Sequence, residues 1–254
     1  NKATAPIAIL LMLALLVGPL LRWRRDDLKR LKYRLMGAVA ILLTSCLVAL
    51  NLAPEIGIFP LLGITLSVAL SAAAWTPLRG RKLFLTPLPI FGMVIAHFGI
   101  AVSVFGMAAE SGFSSETLTA LAPGESAKVA GWEVKLVDVN PVVGDNWVAV
   151  EGTMIAVKND NDFLLYPQSR QFFKPPMQTS EAALLTRWNG QLYVVIAQPD
   201  QEGDGRWQVR LWWKPFVTFI WYGAILIALG GAIALLGRMF RRTKKPTRTM
   251  WQAE

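Results

Sequence analysis

One histidine and one cysteine are all this 254-residue sequence holds of the two commonest nitrogen and sulfur ligands. Cys46 has no partner for a disulfide within the chain, and His97 cannot be half of an internal His-His metal pair. Any centre needing two imidazoles must draw the second from another segment. Charge is also scarce: 17% of residues are charged against 54% hydrophobic, with ten Trp and a mean hydropathy of +0.41. That balance excludes a purely cytosolic globule. There is no Walker loop, no G-x-S-x-G, no H-E-x-x-H and no paired-carboxylate spacing, so soluble hydrolytic chemistry is disfavoured. No charged n-region with an A-x-A site precedes the first apolar run, and the first residue is Asn1; the expectation is a piece of a longer polypeptide.

What is abundant is uninterrupted apolar sequence. Residues 3–21, 35–54, 56–78, 83–109 and 215–237 lack Asp, Glu, Lys and Arg, and each is long enough, at about 1.5 Å per helical residue, to cross about 30 Å of hydrocarbon. The formal charge of +9 is explained by where the cations fall. Arg22, Arg24, Arg25, Lys29, Arg30, Lys32 and Arg34 follow the first run, Arg79, Arg81 and Lys82 the third, and Arg238, Arg241, Arg242, Lys244, Lys245 and Arg248 the fifth. The positive-inside rule makes that side cytoplasmic. The other side carries Glu55 and a segment from Glu110 to Lys214 with nine basic and thirteen acidic residues. The expected class is an α+β integral membrane protein with five transmembrane helices and a C-terminus in the cytoplasm. Trp23, Tyr33, Trp75, Trp212, Trp213, Trp221 and Tyr222 near the span ends read as interfacial anchors. The cations need no nucleic acid to explain them, and no basic face is interleaved with aromatics elsewhere.

The segment between the fourth and fifth runs reads as sheet. Trp132 to Leu136 alternates apolar and polar, Trp147 to Val157 is rich in β-formers, and Asn159 to Asp162 is a turn. Asn189-Gly190 separates 182–188 from 191–197, and Asp204-Gly205 separates the latter from 207–213; both dipeptides suit tight hairpins. The expected product is one extracytoplasmic antiparallel β-domain, a small barrel or sandwich. The domain division is 1–109 (four helices), 110–213 (periplasmic β-domain), 214–238 (fifth helix) and 239–254 (basic tail).

In the fourth run Gly92, Ala96, Gly99, Ser103 and Gly106 recur at steps of four and three, forming a narrow stripe for close helix contact. His97 lies about 140° around from its centre and so faces a different neighbour. An imidazole flanked by about ten uncharged residues on either side faces protein, water or a cofactor rather than lipid. Three readings stay open: a hydrogen bond to a neighbouring helix, a haem or metal ligand, and a proton relay. The third would make a transporter or channel fragment, the first a structural scaffold. Cys46 reads as a small buried hydrophobe, and Arg170, Lys174 and Arg187 as solvated charges on an exposed sheet.

The run from Gly92 through Ala96-His97-Phe98-Gly99 to Val102, the span exit Gly18 to Arg25, the stretches Tyr166 to Arg170 and Thr179 to Ala183, and the ending Val209 to Phe216 leading into Ile220-Trp-Tyr-Gly and Gly230-Gly resemble the C-terminal part of the CcmF family of bacterial cytochrome c-type biogenesis proteins. That resemblance implies the haem lyase subunit of the system attaching haem to apocytochromes c at the outer face of the inner membrane. It implies a b-type haem held between two membrane histidines, one of which matches His97 as an axial ligand to the haem iron. It further implies as partners a haem-delivering chaperone, apocytochrome-presenting subunits, the apocytochrome c itself and membrane lipid, with no nucleic acid. The family's Trp-Trp-Asp segment, its two outer histidines and its second membrane histidine are not in this sequence, so the resemblance implies no catalytic residue here and a segment that is inactive alone.

Overall fold

The computed structural model describes residues 4–18, 28–197 and 205–242. Arg22 to Arg25, Asp204 of the second hairpin dipeptide, and Lys244, Lys245 and Arg248 of the tail lie outside them. Five helices and ten strands occur among the described residues: α1 (Thr4–Val17), α2 (Leu28–Leu52), α3 (Ile58–Ala74), α4 (Leu88–Phe113), β1 (Ser115–Leu121), β2 (Ser126–Val129), β3 (Trp132–Val143), β4 (Trp147–Lys158), β5 (Asn161–Leu165), β6 (Gln168–Phe173), β7 (Pro176–Glu181), β8 (Ala183–Arg187), β9 (Gly190–Ala197), β10 (Trp207–Pro215) and α5 (Thr218–Arg242). They divide into two compact units, a helical one that includes Ala108 and Phe219, and a β unit running Ala109–Thr218.

In the helical unit, α2, α3, α4 and α5 are each long and apolar enough to cross a membrane. Helix α1 has the composition but only 14 described residues, about 21 Å of rise. The fourth apolar run begins at residue 83, yet α4 starts at Leu88. Pro87 and Pro89 are the cause: the residue before a proline avoids the helical region, and a proline in a first helical turn gives up an N–H that has no acceptor there. Leu83–Leu85 forms a separate 3-10 turn instead. The α3 core is built of Leu66, Ala69, Leu70 and Ala73, which bury against Leu16 of α1, Ala38 of α2 and Ala101 of α4. Much of the remaining helix surface is oily and uncovered, including Leu43 and Leu47 on α2, Phe59 on α3 and Trp221 on α5; so large an exposed apolar area suits lipid rather than water.

The β unit is two antiparallel sheets. One has the order β1-β10-β9-β8; the other has β2-β3-β4-β6-β7, with β5 also on β4. Strand β4 is long enough to serve two partners, β6 along Trp147–Glu151 and β5 along Met154–Lys158. Alternate residues face inward along β3, β9 and β10, as a pleat of period two requires. Val134, Leu136, Met154, Leu192, Val194, Ile196, Val209 and Leu211 make up most of the fully buried core. At roughly 25 cal/mol per Å² of apolar surface, such side chains contribute on the order of 1.5–3 kcal/mol each. Val137 interrupts the β3–β4 register, a bulge that adds local twist.

The passage from sheet to helix is built by short-range contacts. Phe216 adopts a positive φ of 56°, its N–H donates to Asn189 O at 2.8 Å, and the Thr218 hydroxyl donates to Trp188 O at 2.9 Å. The sheet therefore keeps Pro215, and the fifth apolar run becomes helical only from Thr218.

Candidate functional site

Helix α4 presents two different faces. On one, small residues let α5 approach at backbone distance: a Cβ on Gly99 would lie 2.7 Å from Gly223 O, and one on Gly92 would collide with Gly230 O. The Ser103 hydroxyl donates across the same contact to Ile220 O at 3.2 Å. On the other face Val94, Ala101 and Val104 are buried, and Ala101 joins the cluster formed with α1, α2 and α3. His97 stands in that second row, three residues after Val94, four before Ala101 and seven before Val104, and it is half-buried. Beside it Phe98 meets Trp75, at the end of α3, edge-on with ring centroids 5.7 Å apart.

The imidazole is oriented by its own helix. His97 Nδ1 lies 2.8 Å from Met93 O, one turn earlier. A carbonyl oxygen only accepts, so Nδ1 carries the proton and donates. In a neutral ring that leaves the lone pair on Nε2, which has no hydrogen-bond partner among the described residues. An imidazole whose distal N–H is held by a carbonyl and whose other nitrogen is open is suited to binding a metal, because the second-shell bond fixes the ring and raises its basicity. Among the described residues no group of three or more His, Cys, Asp or Glu converges on a metal position. Cys46 is partly buried on α2.

The cations of the β unit are more engaged than solvated charges would be. Arg170 stacks on Trp147 with its guanidinium 4.4 Å from the ring centroid, donates to Gln168 Oε1 at 2.8 Å and pairs with Glu181 at 3.5 Å. Arg187 lies 4.2 Å over Phe163. Lys158, which sequence reasoning passed over, is 5.1 Å from both Trp132 and Trp213 and donates to Ala130 O at 3.1 Å. Lys158, Trp132, Trp213 and Arg187, together with Trp188 and three asparagines, line a cleft of about 270 Å³. A Lys at the end of a strand of β-formers carries no sequence signal for this. Lys174 sits at the β6–β7 turn, where Asn146 Nδ2 donates to its carbonyl at 2.7 Å.

Residues 112–215 match the family model described as the CcmF C-terminal beta-sandwich. The chain matches the C-terminal part of CcmF proteins. It is 34% identical over 257 residues to the cytochrome c-type biogenesis protein CcmF of Pseudomonas fluorescens, covering 95% of this chain and 38% of that protein. To CycK of Bradyrhizobium diazoefficiens it is 34% identical, over 98% of this chain and 40% of that one, and to CcmF of Escherichia coli 31% identical, over 98% and 38%. It thus spans about two fifths of the length of these curated relatives. A solved structure of cytochrome c haem lyase CcmF shares the fold, with a TM-score of 0.75 and 22% identity over 92% of this chain and 40% of that one.

Proposed function

We propose that this chain is the membrane haem-binding segment of a haem lyase that takes part in covalent haem attachment to apocytochromes c, with His97 as one axial ligand to the iron of a b-type haem. The observation that carries the reading is the open Nε2 of a ring whose Nδ1–H is committed to Met93 O, in a family whose CcmF members are cytochrome c-type biogenesis proteins. A bound haem would supply a redox-active iron whose potential is tuned by axial ligand and burial. This chain's share is to hold one nitrogen at fixed orientation on α4, to anchor α4 against α5 by the glycine contact, and to keep water away with Val94, Ala101 and Val104. The second ligand and the platform for the delivered haem come from other segments.

The same reading has five crossings of the bacterial inner membrane, the β unit in the periplasm and a cytoplasmic C-terminus. Its support is the geometry of the helical unit. Arg34 of α2 and Arg79 after α3 line one cleft, and Gly237 of α5 sits against Pro89 at the start of α4; each antiparallel pair therefore has a basic cluster at one end, as the positive-inside rule requires. The partners proposed are the haem-delivering chaperone, the apocytochrome-presenting subunits, apocytochrome c and lipid. His97→Gly in the full-length protein is expected to abolish the bis-imidazole b-haem absorbance of purified membranes and to regain it with added imidazole. Unchanged haem content would overturn the ligand assignment.

A further inference from the structure

The β8–β9 hairpin turns at Trp188 and Asn189, between Arg187 and Gly190, the last paired residues. Two hydrogen bonds pin that tip to the chain leaving the sheet: the Phe216 N–H donates to Asn189 O and the Thr218 hydroxyl to Trp188 O. Thr218 ends the β unit and is the first residue of α5. The tip is therefore fixed beside the point where the chain becomes an apolar helix. Trp188 is 71% exposed, whereas Trp132 and Trp213, which line the same cleft, are 2% and 8% exposed. A bare indole is poorly matched to water; in a lipid headgroup layer its apolar body and its N–H both find partners.

The cleft behind the tip carries charge of one sign. Lys158 and Arg187 line it, and no carboxylate does. Both cations rest on ring faces, Lys158 on Trp132 and Trp213 and Arg187 on Phe163, contacts that orient a cation without neutralising it. Among the described residues Lys158 adds one hydrogen bond, to Ala130 O, and neither cation forms an ion pair. The acids nearest Lys158 in sequence are Asp160 and Asp162. Lys158 stands opposite Asn161 on the β4–β5 ladder and Asp162 opposite Val157, so Asp162 belongs to the other side of the pleat, and Asp160 lies in the exposed turn. Two uncompensated cations beside an exposed indole, at the entry of an apolar helix, match the phosphate of a lipid headgroup.

We propose that the β8–β9 tip docks the β unit on the bilayer surface, with the Trp188 ring among the headgroups and the phosphate of an anionic phospholipid taken up by Lys158 and Arg187. The proposal rests on the reading of α5 as a membrane span and is independent of the haem assignment. The experiment puts p-benzoylphenylalanine, another bulky aromatic, at position 188 of the full chain in vesicles of mixed phosphatidylethanolamine and phosphatidylglycerol. Illumination joins the label to the C–H bonds that touch it, and mass spectrometry of the tip peptide identifies the adduct. A phospholipid adduct is expected, with phosphatidylglycerol about fivefold or more above its share of the bilayer. The same label in place of Asp145, in the turn beyond the far end of β3 and roughly 35 Å along that strand from Trp132, should collect no lipid. Lys158→Gln with Arg187→Gln should bring phosphatidylglycerol down to its bilayer share while the adduct itself persists, and Lys158→Arg with Arg187→Lys should keep it enriched. No lipid adduct at 188, one no stronger than at 145, or one in bilayer proportion with both cations intact would overturn the proposal. So would a polypeptide adduct in place of lipid on illumination in native membranes, which would make the tip a surface for a protein. If the double Gln variant loses its sheet circular dichroism, the adducts at 188 and 145 with both cations intact decide alone. A third label replacing Ile225, exposed on α5, separates the two readings. Lipid at 225 with none at 188 refutes only the docking tip, whereas none at either position refutes the span.

Discussion

At the scale of single residues, the clearest electrostatic device belongs to the β unit. Glu125 accepts from Ala122 N at 3.0 Å and from Arg206, which also reaches Ala120 O at 3.3 Å. The backbone N–H of Ala122 first, and then the guanidinium, hold the Glu125 carboxyl below its ordinary range. Glu133 is lowered likewise by the Ser126 hydroxyl and by Lys128. A depressed folded value means the stabilisation is complete above the unfolded value of about 4.3 and is lost as pH falls through the folded value. Thermal unfolding of the β unit in the full chain is therefore expected to become easier with acid below about pH 4.3, and Glu125→Gln should flatten that dependence. A slope identical in wild type and variant would contradict the assignment. His97 was legible as the residue to watch because it is the only imidazole in an uncharged run. Its tautomer was not, since the bond to Met93 O requires the ring to turn back along the helix, and spacing alone does not fix a rotamer.

Among the elements, the α4–α5 contact depends on the absence of side chains at Gly92, Gly99, Gly223 and Gly230. Gly99→Leu is expected to force the helices apart, because even a methyl would lie 2.7 Å from Gly223 O; the readout is loss of α4–α5 crosslinking between introduced cysteines, alongside retained helical circular dichroism. In the sheets, Leu211→Ala removes a fully buried side chain and should destabilise the β unit by about 2–5 kcal/mol, measured by denaturant unfolding. Strands β3, β4, β8, β9 and β10 were readable from their alternation and from Asn189-Gly190. Strands β6 and β7 were not, since QSRQFF and PMQTSE are mostly polar and hold their place through ladder hydrogen bonds, β6 to β4 and β7 to β6, rather than through burial. The segment Asn159–Asp162 reads as a turn, yet only Asn159 and Asp160 take left-handed φ values, 50° and 59°, and β5 begins at Asn161. A turn signal fixes where a chain reverses and says little about how soon pairing resumes.

For the whole molecule, the distribution of charge was the most informative feature of the sequence. It predicts that reporters fused after Arg34 and after Arg242 are active in the cytoplasm, and activity in the periplasm would reverse the orientation. The two-sheet β unit was foreseen as barrel or sandwich without a choice between them, because the decision rests on which strands pair across long separations. The decisive pair is β1 with β10: seven residues that follow the fourth helix find their partner about ninety residues later, Ser115 opposite Trp213, and no local pattern encodes that distance.

The same pairing has a topological consequence. Chain entry to and exit from the β unit lie on neighbouring strands, roughly 5 Å apart. Cutting the strands out from β1 to β10 and bridging the gap with a few glycines should leave α4 joined directly to α5, so that the contribution of the β unit to assembly can be assayed separately from that of the imidazole.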